Sequence, residues 1–281
     1  MAENVIQFKD EQGNNLYPII LDGIREPKIF DCCFGSHRGF CSEFPENTMP
    51  AFIGAVKRGY RFLETDIVQS SDGVQFLLHD ATINRTSNGI GTASQMTAAQ
   101  LERYSYGYSA KFGNKFYGTP IPRLSEFLIF CKKNRCVAEL DIADDARYSD
   151  SYLQNTYNEV KRAGMLDSVY FCARKERLQA LLAIDPSVMV SVSMYGNENV
   201  AYMNSCFSML ANCRAANFSI LYNRVTQTLI DNAHNNNFAV KVWYEENDGN
   251  DTSAHANTLF NESVDIILTD YVVPNAFDWL Q

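Results

Sequence analysis

The sequence predicts a single α/β domain, a (β/α)₈ barrel of the TIM type, preceded by a short N-terminal extension. Three observations predict it. From Lys28 onward, short strand-like runs alternate with longer helical ones, the pattern of a parallel sheet covered by helices. The stretch involved, roughly 250 residues, has the usual size of such a barrel. The composition of the 281-residue chain, 46% hydrophobic, 20% charged and 12% aromatic, is that of a globular protein and leaves too much apolar surface for disorder. An open doubly wound sheet is the alternative. The first strand–helix turn, Gly35-Ser36-His37-Arg38-Gly39, lacks the glycine spacing of a dinucleotide loop.

Residues 1–27 are polar, carry a Gly13-Asn14-Asn15 turn signal and end near Pro27. They are too short for a domain and read as an extension that carries a short strand pair or mediates assembly into a homo-oligomer. The barrel domain is assigned to residues 28–281. Its strands are expected at Ile29–Phe34, Phe62–Val68, Val74–Leu78, Cys136–Ile142, Ser168–Cys172, Val188–Ser193, Phe218–Leu221, Ala239–Trp243 and Asp265–Leu268. Helices are expected at Met49–Arg58, Thr97–Arg103, Leu124–Lys133, Ser151–Ala163, Lys175–Ala183, Asn199–Asn212, Thr226–Asn236 and Thr252–Asn261. Thr97 and Gln100 have the spacing of a capping box. Glu245–Thr252, rich in Asn, Asp and Glu, reads as a solvated loop.

Charge and cysteine usage narrow the partners. Lys plus Arg is 24 against 33 Asp plus Glu, a net charge of −9. So acidic a chain lacks the basic face that nucleic acid or an anionic membrane requires. An anionic substrate must be held by a few local cations or a metal. No apolar run approaches the ~20 residues of a membrane span. The opening ten residues show neither a basic nor an apolar region of a secretion signal, so a cytoplasmic protein is expected. The eight cysteines then read as small core hydrophobes. Zinc is disfavoured because Cys32 and Cys33 are adjacent and no Cys-x-x-Cys pair occurs.

The chemistry concentrates early in the chain. His37 and His79 each follow a strand-like run, and strand C-termini define the catalytic face of a barrel. Between them lies Phe62-Leu63-Glu64-Thr65-Asp66-Ile67-Val68. Residues i and i+2 of a strand share a face, so Glu64 and Asp66 point inward together. Glu139 repeats the theme on the next strand of this kind. Clustered inward carboxylates need a counter-charge, and oxygen ligands from several strands suit a hard cation, Mg²⁺ or Ca²⁺.

These residues also carry a resemblance. His37-Arg38-Gly39, Pro45-Glu46-Asn47-Thr48, Glu64-x-Asp66, Asp72-Gly73 and His79-Asp80 resemble the glycerophosphodiester phosphodiesterases in order, spacing and type. The similarity continues through Arg85-Thr86, Gly89-x-Gly91, Thr97-x-x-Gln100-Leu101, Ile121-Pro122-x-Leu124-x-Glu126, Val242-Trp243 and Asp265-x-Ile267-x-Thr269-Asp270. Between Tyr148 and Tyr222 it is a strand–helix pattern only. The resemblance implies a barrel that hydrolyses phosphodiesters with one bound divalent cation, held by Glu64, Asp66 and Glu139. It implies acid–base work by His37 and His79, with His37 as base and His79 as acid, or the reverse. It also implies attack by the glycerol 2-hydroxyl through a cyclic phosphate that water opens. Arg38 would neutralise the phosphoryl oxygens, and Glu46 and Asn47 would orient the groups around it.

One departure stands out. The family usually has Lys two residues after its third carboxylate, and this chain has Asp141 there, which either adds a ligand to the metal or repels substrate and weakens catalysis. Lys241 is the candidate substitute at the substrate phosphate. It shares the barrel-interior face with Trp243, which would border the substrate pocket, and its ammonium is expected within reach of Asp141 or Glu139. For the leaving alcohol, the candidate lining is drawn from Phe40, Phe44, Tyr106, Tyr108, Phe112, Phe116, Tyr117 and Tyr195, with the segment Tyr104–Tyr117 the better place to look. A phospholipase D-like or phosphoinositide-specific enzyme is a second reading. A third is a barrel that binds or weakly cleaves polyglycerolphosphate. It is prompted by Asp141 and by the extension, which is faintly similar to leaders of phage tail proteins and would make the chain virion-associated.

Overall fold

The computed structural model describes residues 33–142, 150–245 and 249–272. The expected extension at 1–27, the start of the first expected strand and part of the 245–252 loop lie outside the described residues. Nine strands and nine helices are described, in the order β1 (Cys33–Ser36), α1 (Met49–Lys57), β2 (Phe62–Gln69), β3 (Gln75–Leu77), α2 (Ala98–Leu101), α3 (Ser109–Phe112), α4 (Leu124–Lys133), β4 (Val137–Ile142), α5 (Asp150–Ala163), β5 (Val169–Ala173), α6 (Lys175–Ile184), β6 (Met189–Ser193), α7 (Val200–Leu210), β7 (Ala216–Leu221), α8 (Gln227–His234), β8 (Ala239–Trp243), α9 (Ser253–Asn261) and β9 (Ile266–Thr269).

Eight of the strands are parallel and form a ring. The order runs β1-β9-β8-β7-β6-β5-β4-β2, and β2 returns to β1 through Gly35–Phe62 and Ser36–Leu63. That closing pair makes the molecule a (β/α)₈ barrel and excludes the open sheet. Helix starts follow local chemistry. Pro50 sits at the start of α1, where its missing N–H costs nothing. Asn199, Thr226 and Thr252 cap α7, α8 and α9 by accepting backbone N–H bonds. The Thr97–Gln100 capping box forms, although α2 is a single turn.

The expected strand Val74–Leu78 is not a barrel strand. Its core, β3, runs antiparallel to the end of β2, pairing Ile67 with Leu77 and Gln69 with Gln75. The reversal is made at Asp72-Gly73, where Gly73 has φ +85° and donates to Ser70 O. An Asp-Gly step between two apolar runs is a hairpin signal, and it outranks strand–helix alternation here. As a consequence β2 overshoots the barrel mouth, and the hairpin carries His79 back to the level of Asp66.

The barrel lumen is layered. Phe62, Tyr170, Met189, Ile266 and Leu268 form an apolar plug low in the barrel. Gly35 opposes Phe62 and Leu268, and a Cβ on it would meet the Phe62 ring at 2.8 Å. Above the plug the inward positions turn polar and charged, among them Glu64, Glu139, Lys241, Ser191 and Asn217, all buried. The main core lies between strands and helices and includes Phe52, Phe127, Phe171 and Phe218. The described cysteines are free thiols, five buried and Cys213 partly so. No helix among the described residues is long and apolar enough to cross a membrane.

Candidate active site

The turn after β1 places the first histidine. His37 N–H donates to Thr269 O at 3.1 Å, which locks the turn to β9. Arg38 and Gly39 follow with φ of +55° and +80°. A side chain at Gly39 would collide with Ala51 of α1 at 2.7 Å, so glycine is required by space as well as by conformation. The left-handed Arg38 aims its backbone N–H at Glu64 Oε2, 2.9 Å away. Its guanidinium spans Glu46 and Asp66, each at 3.2 Å. Strain at such a residue persists only where neighbours over-determine it, and these three carboxylates do. Burial opposes the charge of Arg38, but Asp66, Glu46 and Glu64 outweigh it and hold its pKa above the ordinary arginine value.

His37 is buried and lines the cavity at the mouth. Its Nδ1 lies 3.1 Å from Asp270 Oδ1. A carboxylate only accepts, so the proton sits on Nδ1 and Nε2 is left as the basic nitrogen. Asp270 is itself positioned: its N–H donates to Asp251 Oδ2 at 2.7 Å, and Asp251 Oδ1 accepts from the Thr269 hydroxyl. Burial works against the Asp270 charge, while His37 and a bond from the Cys41 thiol outweigh it and keep the pKa low. Asp251 is only 5% exposed, so the 245–252 segment is not simply a solvated loop. Its acidic composition concealed a buried anchor. Asp270 stands in a recognised sequence pattern, but nothing local to it points to His37, 233 positions away.

The carboxylates come from β2 and β4, which pair in register, Glu64 with Glu139 and Asp66 with Asp141. Oxygens of Glu64, Asp66 and Asp141 lie within 4.8 Å of one another, a trio suited to a cation and the one such group among the described residues. Asn47, held at φ +53°, braces it. Its Nδ2 donates to Asp66 Oδ2 at 2.8 Å, and its Oδ1 accepts from the Thr65 hydroxyl and the Asp66 N–H. Burial disfavours charge on all three acids. Beside Arg38, His79 and Asn47, Asp66 is nevertheless held below its ordinary pKa. Glu64 is pushed well up by burial and by Asp66 and Asp141, and Asp141 is pushed up by burial, Asp66 and Glu139. A donor set made only of carboxylate oxygens, crowded and short of positive charge, fits a hard divalent cation.

Glu139 and Lys241, assigned from sequence to the metal and to the phosphate, are found together, and of the two acids expected within reach of the Lys241 ammonium it is Glu139 that pairs with it. The Lys241 ammonium forms an ion pair with Glu139 Oε1, both side chains being 1% exposed. Its other neighbour is the Cys172 sulfur at 4.0 Å. Lys241 is thus inside the barrel, on the expected face, but engaged below the cavity rather than lining it. Strand alternation gives the face of a residue and not its depth, and Lys241 lies a layer too low for a phosphate at the mouth.

The second histidine heads a chain of charges. His79 Nδ1 lies 2.7 Å from Asp80 Oδ1, Asp80 takes Arg85 at 2.8 Å, and Arg85 takes Glu46 through both terminal nitrogens at 2.6 and 2.8 Å. Glu46 closes the path to Arg38. The His79 pKa is raised, first by Asp66, against burial, and then by the bond to Asp80. Asp80 and Arg85 stand in the sequence pattern, but the pattern alone gives neither a role.

The two histidines open into one cavity of about 520 Å³. The turns after β1 and β3 and the end of β4 contribute His37, Arg38, His79 and Asp141 to its lining, and the ends of β5, β6 and β8 with the segments after them contribute Arg174, Ser193, Tyr195, Trp243 and Glu245. Tyr195 and Trp243 pack with ring centroids 5.8 Å apart. The segment 104–117, expected as the lining, does not face the cavity. Its aromatics pack on Phe44 and on one another, with Phe116 centroids 5.6 Å from Phe44 and 5.3 Å from Phe112, and Tyr108 lies against Arg85.

The structure is thus a (β/α)₈ barrel whose two histidines and carboxylate trio gather at the C-terminal mouth, the face on which barrels of this class carry their sites. The chain belongs to the glycerophosphoryl diester phosphodiesterase family, whose model matches residues 37–273. It is 33% identical over 124 residues to glycerophosphodiester phosphodiesterase 1 of Mus musculus, a match that spans 44% of this chain and 38% of the mouse protein's length. It is 26% identical over 245 residues to a putative glycerophosphodiester phosphodiesterase of Bacillus subtilis, covering 84% of this chain and 93% of that one. Among solved structures, it is similar to an Oleispira antarctica phosphodiesterase in complex with the product sn-glycerol-3-phosphate. That likeness has a TM-score of 0.72 at 20% identity, covering 85% of this chain and 93% of that one.

Proposed function

We propose that the chain hydrolyses glycerophosphodiesters to an alcohol and glycerol 3-phosphate at this mouth, with one divalent cation, Mg²⁺ or Ca²⁺, as cofactor. The observation that carries the reading is the pair of histidines, each bonded at Nδ1 to a carboxylate and each lining the same cavity beside the carboxylate trio. Family membership and the product bound to the O. antarctica relative support the substrate class. Glu64 and Asp66 would hold the cation together with an acid from β4. When bound, the cation supplies charge neutralisation at the phosphoryl oxygens.

The protein's own groups do the rest. Nε2 of His37, freed by Asp270, takes the proton of the glycerol 2-hydroxyl as that oxygen attacks phosphorus. His79, whose raised pKa favours its protonated form, gives a proton to the departing alcohol oxygen. Water then opens the cyclic phosphate with the roles reversed: His79 accepts the water's proton and His37 returns one to the 2-oxygen. Arg38, fixed by Glu46 and Asp66, faces the developing charge without reorganising. Glu46 and Asn47 position Arg38 and Asp66, and Trp243 borders the leaving alcohol.

The test is release of glycerol 3-phosphate from a glycerophosphodiester by the full chain. Activity restored by Mg²⁺ or Ca²⁺ after removal by chelator is the expected result. Binding of the substrate with no turnover at any metal concentration would leave a binding module.

A further inference from the structure

We infer that Asp141, and not Glu139, is the third carboxylate of the cation site, and that Lys241 is an internal counter-ion that withdraws Glu139 from it. The inference rests on the proposal that a divalent cation binds at this mouth. β4 offers two inward acids, Glu139 and Asp141, in register with Glu64 and Asp66. They differ in depth, in partner and in exposure to the cavity. Asp141 lines the cavity and brings an oxygen within 4.8 Å of both β2 acids. Glu139 lies one inward step deeper, outside that trio, with Oε1 committed to Lys241.

Charge favours the same division. A fully buried ammonium needs an anion, and Glu139 is the carboxylate bonded to Lys241. Together they are neutral. The upper layer then holds Glu64, Asp66 and Asp141 against one guanidinium, Arg38, whose other partner Glu46 has its own cation in Arg85. Three carboxylates and one guanidinium leave two negative charges, the charge of one divalent ion. Were Glu139 the third ligand, Lys241 would sit against the cation and Asp141 would stay crowded beside Asp66, with only the more distant charges of Lys241 and His79 to offset it. The cation at the Asp141 level is also the one a substrate phosphate in the cavity can touch. Glu139 Oε2 is buried and bonded to nothing, so this oxygen is the competitor that a test must examine.

The test is Mn²⁺ binding to the full chain, read by the paramagnetic resonance of free Mn²⁺, with melting temperature measured in parallel. Asp141→Asn should weaken Mn²⁺ by about 100-fold, and Glu139→Gln by less than about threefold, since loss of a direct ligand exceeds the roughly 10–100-fold cost of a supporting group. Without metal, Asp141→Asn should melt no lower than the parent, because it relieves a crowded cluster. Glu139→Gln and Lys241→Met should each lower the melting temperature, and the double variant should lose less than the two losses combined. Retained Mn²⁺ affinity in Asp141→Asn, or a loss in Glu139→Gln as large as that in Asp141→Asn, would overturn the assignment and leave the proposed function standing. Absence of Mn²⁺ binding by the unsubstituted chain would overturn both. Should Asp141→Asn fail to fold, the retained affinity expected of Glu139→Gln still decides between the two acids.

Discussion

The two halves of the barrel rim are built differently. The half that follows β1, β2 and β3 is a lattice of charges that hold one another: Arg38, Glu46, Arg85, Asp80 and His79 form one continuous path. Its backbone is fixed in left-handed conformations at Arg38 and Asn47. The half that follows β5, β6 and β8 presents Ser193, Tyr195 and Trp243 to the same cavity, together with Arg174 and Glu245, and Tyr195 and Trp243 pack on each other. One side is organised before substrate arrives, as electrostatic catalysis requires. The other is a wall of the kind that selects a group by shape. On the proposed function, chemistry and recognition are separable by substitution, and Asp270, which bonds His37, comes from the opposite end of the chain.

The largest expected effect is at His37. His37→Ala should lower kcat by about 10²–10⁴-fold on every phosphodiester, the usual span of general acid–base catalysis, with an unchanged melting temperature. A small loss would move the base elsewhere. Asp270→Asn should follow, with a fall in kcat on the order of 10²-fold, within that same span, and a nearly constant KM, since the amide no longer selects the Nδ1–H tautomer. A KM effect without a kcat effect would make Asp270 a packing residue.

The pH profile sharpens the comparison further. In the proposed mechanism His79 is the acid, so activity should fall as pH rises through its pKa. Asp66 and Asp80 raise that pKa. Asp80→Asn removes one of these contributions and should shift the basic limb of the kcat profile to lower pH. A shift to higher pH would contradict the assignment. On the wall, Tyr195→Ala should raise KM by roughly fivefold for substrates with bulky alcohols, the scale of ~1 kcal/mol for an aromatic contact, and leave kcat nearly unchanged. Equal loss of kcat and of kcat/KM would mean that the wall takes part in the chemistry.

How far the sequence is legible follows the same division. Alternating strand and helix runs suffice for the barrel, and α4 and β8 have the bounds read from sequence, Leu124–Lys133 and Ala239–Trp243. The dense residues 37–80 announce the histidines and the β2 acids because strand alternation is enough to gather them. The β3 hairpin escaped because a strand-like run says nothing of its direction, although Asp72-Gly73 carried that signal. Asp251 and Asp270 escaped because their partners are distant in sequence. That the Lys241 ammonium reaches the β4 acids is legible from strand alternation; which of Glu139 and Asp141 it takes, and the grouping of Asp141 with the β2 acids, depend on depth in the lumen, which register across strands determines and a single strand's pattern does not.

The central claim is that the two histidines of the charged side exchange protons with the substrate, and leaving-group dependence in His79→Ala tests it most directly. The measurement is kcat of this variant relative to the parent on glycerophosphocholine, an alkyl ester, and on a 4-nitrophenyl glycerophosphodiester. Because nitrophenolate departs without a proton, the account predicts a loss of about 10²–10⁴-fold on the alkyl ester and a much smaller one on the aryl ester. Equal losses on both would contradict it.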